Sequence, residues 1–152
     1  ARRLVRMAVE DISLADPQAQ TICLHAWETF ERLGSPEGEL ALSQAVIYLA
    51  LAPKSNAAYV AYKSAREAAR KTGSEPPPKH ILNAPTKMMA EQGFGAGYAY
   101  DHDSEDGFSG QNFFPETLPR TQFYAPVERG FERDLAKRVA YFEKLRAQRE
   151  GT

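Results

Sequence analysis

The sequence predicts an all-α fold with a long aromatic-rich loop before its last helix. Apolar residues recur at helical spacing, as in the stripe formed by Ile22, Ala26 and Phe30. Proline and glycine stand where such stripes begin and end, as helix starts and stops require. The length of 152 residues fits a single domain covering residues 1–152.

Four helices are predicted in the first half of the chain. Asp16 and Pro17 begin the second helix as N-cap and first helical residue, because proline fits where the amide has no helical partner. Ser35 and Pro36 repeat this pattern for the third helix, and Ser55 or Asn56 caps the fourth. The fourth helix is rich in alanine, and we interpret Tyr59 and Tyr62 as the large side chains that pack it against its neighbours. The predicted helices cover residues 2–12, 17–33, 36–52 and 56–69.

The third predicted helix is apolar on nearly every side after Leu40. A helix with this pattern is buried all round, so we expect it to be the central element or to face a partner subunit. One small core does not need this much apolar surface, and oligomerisation with closed symmetry would bury the excess. The residues that we expect at a subunit interface are Ala45, Ile47, Tyr48 and Leu51.

The second half of the chain has fewer regular signals. Three consecutive prolines make residues 74–79 an extended connector, and a short helix is predicted over residues 85–92. The loop of residues 93–124 holds eight of the 16 aromatic residues, so we expect aromatic anchors to pin it onto the helices. Within it, residues 98–100 are the one candidate for a short strand. The last helix is predicted from about residue 126 to residue 149.

Composition and charge exclude several classes of function. Nineteen Lys and Arg residues against 20 Asp and Glu residues give a net charge of −1, so no global basic field recruits nucleic acid. Cys23 is the single cysteine, which excludes an intramolecular disulfide framework and a Cys-rich zinc site. The longest apolar run is too short to span a bilayer, and we expect no membrane contact.

No catalytic, cofactor-binding or metal-ligating residue is predicted in this sequence. No phosphate-loop motif is present, and residues 93–97 have glycines without the strand and helix that a dinucleotide site requires. Residues 101–106 are rich in acidic side chains around His102, but we interpret them as a surface turn. His25 is interpreted as a packing residue, and a buried Cys23 would have a raised pKa and would not be a nucleophile.

A basic stripe on the last predicted helix is the one feature of the residue pattern that indicates a binding partner. On a helical wheel of residues 128–149, the side chains of Arg129, Arg133, Lys137 and Lys144 share an arc of roughly 80° opposite the apolar residues. The acidic residues Glu132 and Glu143 lie off this arc, so the stripe is interpreted as not internally neutralised. It could contact DNA phosphates by charge alone, or it could be a solvated face.

Several blocks of the sequence form a recognisable pattern: residues 2–6 (RRLVR), 10–17 (EDISLADP), 31–40 (ERLGSPEGEL), 52–56 (APKSN), 83–87 (NAPTK), 100–103 (YDHD) and 111–118 (QNFFPETL). These blocks resemble the replication-associated recombination protein A family, whose members are AAA+ ATPases related to clamp loaders and to the Werner-helicase-interacting ATPase. The resemblance covers nearly the whole chain, although Ser13 stands where glycine is expected and Leu82 where arginine is expected.

The resemblance implies that assembly and ATP hydrolysis belong to different regions of the parent protein. The chain, which begins without Met, would be a C-terminal fragment similar to the clamp-loader collar, and this domain assembles the family's proteins into homotetramers. ATP and Mg²⁺ would bind an ATPase region N-terminal to it. DNA and single-stranded-DNA-binding protein would be partners of the parent protein, which would be cytoplasmic and nucleoid-associated and act at replication forks. A DNA-binding or partner-binding helical module is the alternative.

Overall fold

The computed structural model describes residues 1–150, and it confirms the all-α fold class. Within those residues the chain forms helices, turns and loops, and no β-strand. None of the helices described there is long and apolar enough to cross a membrane. The α-helices are α1 (Arg2–Met7), α2 (Gln18–Leu33), α3 (Glu37–Leu51), α4 (Ala57–Thr72), α5 (Lys87–Glu91) and α6 (Glu132–Glu150).

Two compact units share the chain. Unit 1 comprises Ala1–Arg66 and Phe123–Arg138, and unit 2 comprises Glu67–Gln122 and the chain from Val139 onward. Helices α4 and α6 therefore contribute residues to both units. The single domain over residues 1–152 stays a prediction.

The core of unit 1 forms where α2 packs against α3. Cys23 on α2 and Ala45 and Leu49 on α3 are buried there, together with Ile12 from the segment before α2. Burial raises the pKa of the Cys23 thiol, as expected for a cysteine that acts as a small apolar residue. Five of the seven residues in this buried cluster are alanine or cysteine, so small side chains fill most of the contact between the two helices.

The first predicted helix, residues 2–12, does not continue as an α-helix to its end. The α-helix ends at Met7, a π-helical turn follows over Ala8–Ile12, and a 3₁₀ turn follows over Ser13–Ala15. The amide of Ser55 donates to the carbonyl of Asp11 at 2.8 Å, and the amide of Phe131 donates to the carbonyl of Ala15 at 2.8 Å. This segment therefore accepts hydrogen bonds from the residues just before α4 and α6.

The predicted helix caps have mixed outcomes. Asp16 Oδ1 accepts a hydrogen bond from the Gln18 amide at 3.1 Å, as expected of a capping side chain, but α2 begins at Gln18, one residue after the predicted start at Pro17. Ser55 Oγ accepts from the Ala57 amide at 3.1 Å, so Ser55 provides the side-chain cap of α4. The capping role of Ser35 is wrong, because its side-chain oxygen accepts no hydrogen bond from an amide in the first turn of α3, and its hydroxyl instead donates to Glu39 Oε1 at 2.6 Å.

The last helix begins later than predicted, at Glu132 and not near residue 126. Glu132 is fully buried, and its Oε1 accepts from the Tyr124 hydroxyl at 2.6 Å. Its Oε2 accepts from the Val127 amide at 3.4 Å. Burial and the bond to Glu132 raise the pKa of Tyr124. These bonds hold residues 124–127 in a non-helical path, which delays the start of α6.

In unit 2, both aromatic and charged groups tie the loop of residues 93–124 to the second half of α6. The rings of Phe108 and Phe142 lie 5.0 Å apart, which agrees with the expected aromatic anchors. A charged anchor was not expected, but Arg146 Nη1 donates to the carbonyl of Gly110 at 2.6 Å. The strand considered for residues 98–100 is absent, since those residues have no regular structure.

The contact between α2 and α3 yields a first prediction. A Cβ on Gly38 would lie 2.7 Å from Phe30 Cα, and backbone atoms cannot easily move away. We expect Gly38→Ala to lower the free energy of unfolding by about 1–3 kcal/mol through overpacking. Urea denaturation followed by circular dichroism measures this. The control is His25→Ala at an exposed position of α2, and an equal effect of both variants would contradict the tight contact.

Ser13 yields a second prediction. Its φ is 53° and its ψ is −130°, a region that favours glycine, and glycine is the residue that the family resemblance led us to expect there. Backbone strain of this kind costs about 1–3 kcal/mol, so Ser13→Gly should stabilise unit 1 by about 1 kcal/mol after the entropic cost of glycine. Thermal denaturation tests this. Ser43→Gly within α3 is the control and should destabilise; a loss of stability in both variants would contradict the strain.

Candidate functional site

The outer face of α3 is not covered by the rest of its own chain. Leu40, Ile47 and Leu51 are 68%, 61% and 82% exposed, although the opposite face of the helix lies in the core. Of the two alternatives given for this apolar helix, the central element is therefore wrong for this face, and contact with a partner subunit stays a prediction. A helix that is apolar on every side gives no amphipathic signal, so the sequence could not distinguish its two faces.

The side chains of Leu40, Ile47 and Leu51 lie on one face of α3, which is called the α3 stripe. At 100° per residue they fall within an arc of about 40°, and the exposed residue Gln44 lies next to the same arc. The resulting spacing, residues 40, 44, 47 and 51, alternates steps of four and three residues. This is the spacing of the core positions of a helix that packs along another helix.

The four residues predicted at a subunit interface occupy different environments. Ile47 and Leu51 are exposed and line a shallow groove, beside the half-buried Tyr48. The hydroxyl of Tyr48 donates to Asp16 Oδ2 at 2.6 Å, and this bond raises the pKa of Tyr48. Ala45 is fully buried in the core of its own unit, so it is not available to a partner. Leu40 was not among the residues chosen from the sequence, and its spacing from Ile47 was the available signal.

The basic stripe is less uniform than the helical wheel suggested. Arg129 lies before α6 and not on it, because the helix begins at Glu132, and Arg129 Nη1 donates to the carbonyl of Lys54 at 3.0 Å. The Nε of Arg133 donates to the carbonyl of Glu128 at 3.2 Å. Both guanidinium groups are therefore engaged with the backbone of unit 1.

Lys137 has an acidic partner three residues earlier on the same helix, which the helical wheel did not indicate. Its Nζ lies 3.0 Å from Asp134 Oδ1, so the stripe is neutralised at this point. The pairing of residues three apart on a helix was the signal that could have revealed it. Lys144 is exposed in the part of α6 that belongs to unit 2. DNA contact by these cations stays a prediction.

The acidic cluster around His102 forms a surface turn. The Ser109 amide donates to Asp101 Oδ1 at 2.7 Å, and hydrogen bonding by the Ser109 side chain and by this amide lowers the pKa of Asp101. Arg149 Nη2 donates to Asp106 Oδ1 at 2.7 Å and lowers the pKa of Asp106. Among residues 1–150, no three His, Cys, Asp or Glu side chains are placed to hold a metal ion.

The histidines also differ from one another. His25 is exposed on α2, so its interpretation as a packing residue is wrong. His80 lies in unit 2, where its ring is 6.0 Å from that of Phe113. The ring of His102 is tilted by 48° against that of Tyr100, with ring centroids 4.9 Å apart.

Comparison with known proteins gives the family. A family model described as MgsA AAA+ ATPase C terminal matches residues 1–143. The chain belongs to this family. Replication-associated recombination protein A of Coxiella burnetii is 48% identical, over 100% of this chain and 35% of the relative. The protein of the same name in Escherichia coli strain K12 is 43% identical, over 93% of this chain and 32% of the relative.

A eukaryotic relative extends the comparison. ATPase WRNIP1 of Dictyostelium discoideum is 41% identical, over 81% of this chain and 14% of the relative. The chain spans about a third of the length of the bacterial relatives that it matches. The family resemblance inferred from the sequence blocks is thereby confirmed.

Proposed function

We propose that this chain is the C-terminal oligomerisation domain of an AAA+ ATPase, and that it assembles its parent protein into a homotetramer. The observation that carries this proposal is the exposed apolar stripe of Leu40, Ile47 and Leu51 on α3. Full burial of such a side chain contributes about 1.5–3 kcal/mol, so the stripe is costly to leave in water.

The stripe suits further copies of the same helix. Its spacing matches the core positions of helix pairs and of helix bundles with up to four members, and each of the four copies would present identical residues to its neighbours. Gln44 is a polar residue within this spacing. A polar residue at one core position fixes the register of such a pair at some cost in stability. This property favours a defined assembly over unspecific association.

The names of the relatives support the biological setting of the proposal. Two relatives are called Replication-associated recombination protein A, and a third is called an ATPase. The parent protein would thus act in DNA replication and recombination, with ATP and Mg²⁺ bound by a region outside this chain. DNA and single-stranded-DNA-binding protein would be its partners. Holding four ATPase modules together raises their effective concentration on one DNA molecule.

The alternative is a DNA-binding or partner-binding module without a role in assembly. The exposed cations of α6, Arg133, Lys137 and Lys144, favour it. Lys137 is paired with Asp134, however, and Arg133 bonds to a backbone carbonyl, which weakens this surface as an anion-binding stripe.

Charged substitutions on the stripe test the assembly role. The double variant Ile47→Asp with Leu51→Asp should dissociate the oligomer, because two carboxylates per subunit would be forced into an apolar contact. Sedimentation velocity reads the assembly state.

The matched control is the double variant Leu24→Asp with Leu33→Asp, which adds the same charge at two exposed leucines of α2. This control variant should have the same mass in solution as the unchanged chain. If the α3 variant also keeps that mass while it remains folded by circular dichroism, the stripe is not the interface.

A further inference from the structure

The exposed side of α4 is a second surface of unit 1. It carries tyrosines and cations, whereas the α3 stripe carries aliphatic side chains. Tyr59 and Tyr62 were interpreted from the sequence as packing bulk, but they are 52% and 63% exposed. Lys63 and Arg66 are also exposed. The spacing of these four residues, i, i+3, i+4 and i+7, is that of a single helical face.

The charge of this face is positive without an acidic residue among its members. At 100° per residue the four side chains share an arc of about 100°. Glu67 is the acidic residue of α4, and it lies outside this arc. Its carboxylate is also ion-paired with Lys71, at 2.8 Å between Oε1 and Nζ. Lys137 on α6, in contrast, is itself ion-paired with Asp134.

We propose that this tyrosine-basic face of α4, formed by Tyr59, Tyr62, Lys63 and Arg66, binds single-stranded DNA. Exposed aromatic rings stack on unpaired bases, and interleaved cations contact the phosphates between them. Duplex DNA keeps its bases stacked inside the helix and offers the tyrosines no free base face. The choice of DNA rests on the proposed function in replication and recombination.

The binding test uses the 152-residue chain and a fluorescent oligothymidylate. Tyr62→Ala should weaken binding about tenfold, within the range measured for removal of one base–aromatic stack. Tyr141→Ala is the matched control, because Tyr141 is similarly exposed, at 51%, but lies on α6. Equal effects of the two variants would overturn the proposal.

An abasic oligonucleotide of the same length separates stacking from charge. It keeps the phosphates but removes the bases, so the unchanged chain should bind it more weakly than oligothymidylate. Tyr62→Ala should then have no further effect on its affinity. If Tyr62→Ala weakens binding of both oligonucleotides equally, or if oligouridylate binds more tightly than oligothymidylate, the assignment to stacking on single-stranded DNA is wrong.

Salt dependence tests the two cations. Removing one cation that touches a phosphate should reduce the slope of log affinity against log salt by about 0.7, so Lys63→Gln with Arg66→Gln should reduce it by about 1.4. The double variant Arg133→Gln with Lys137→Gln removes the same charge from α6 and should leave the slope nearly unchanged. If the α6 variant instead reduces the slope by about 1.4 and the α4 variant leaves it unchanged, the phosphate-binding cations lie on α6 and the proposal is overturned.

The mass of each α4 variant separates this proposal from the proposed assembly. Light scattering should give the same mass for Tyr62→Ala as for the unchanged chain, because the α3 stripe is intact. A lower mass would show that the α4 face is a subunit contact and would overturn the DNA-binding assignment. A monomeric unchanged chain that still binds DNA as described would remove the assembly proposal and leave this one standing.

Discussion

Unit 1 depends on two backbone carbonyls in the irregular segment between α1 and α2. The carbonyls of Asp11 and Ala15 accept the amides of Ser55 and Phe131, each at 2.8 Å. A Cβ on Gly130 would lie 2.0 Å from the Ala15 oxygen, so no larger residue fits beside this bond. Because Ser55 and Phe131 closely precede α4 and α6, these two bonds fix where both helices leave the core. The position of the tyrosine-basic face of α4 therefore follows from the bond between Ser55 and Asp11.

The sequence was informative where local chemistry decides the structure and uninformative where distant contacts do. Asp16 and Ser55 were correctly expected to cap helices, because a cap bonds to an amide only two residues away. The start of α6 was misplaced because it depends on buried Glu132 and on a bond from Phe131 to Ala15, which is distant in the chain. No periodic pattern in residues 126–131 indicates the burial of Glu132 or the bond from Phe131 to Ala15.

The candidate site was only partly predictable for a related reason. An interface on α3 followed from its excess of apolar residues, and Ile47 and Leu51 proved to be exposed as an interface needs. Ala45 could not be assigned to the core in advance, since both faces of α3 are apolar. The tyrosines of α4 posed the reverse problem, because tyrosine is found both buried and exposed, and only the structure shows Tyr62 in solvent.

Two helices of unit 1 thus carry chemically distinct faces, an apolar stripe on α3 and a tyrosine-basic face on α4. Assembly through the α3 stripe is the central claim, and the mass of the unchanged chain in solution tests it most directly. Light scattering over a hundredfold range of concentration should give a constant value near four times the 16.9 kDa of one chain. A mass of one chain at every concentration would contradict the claim.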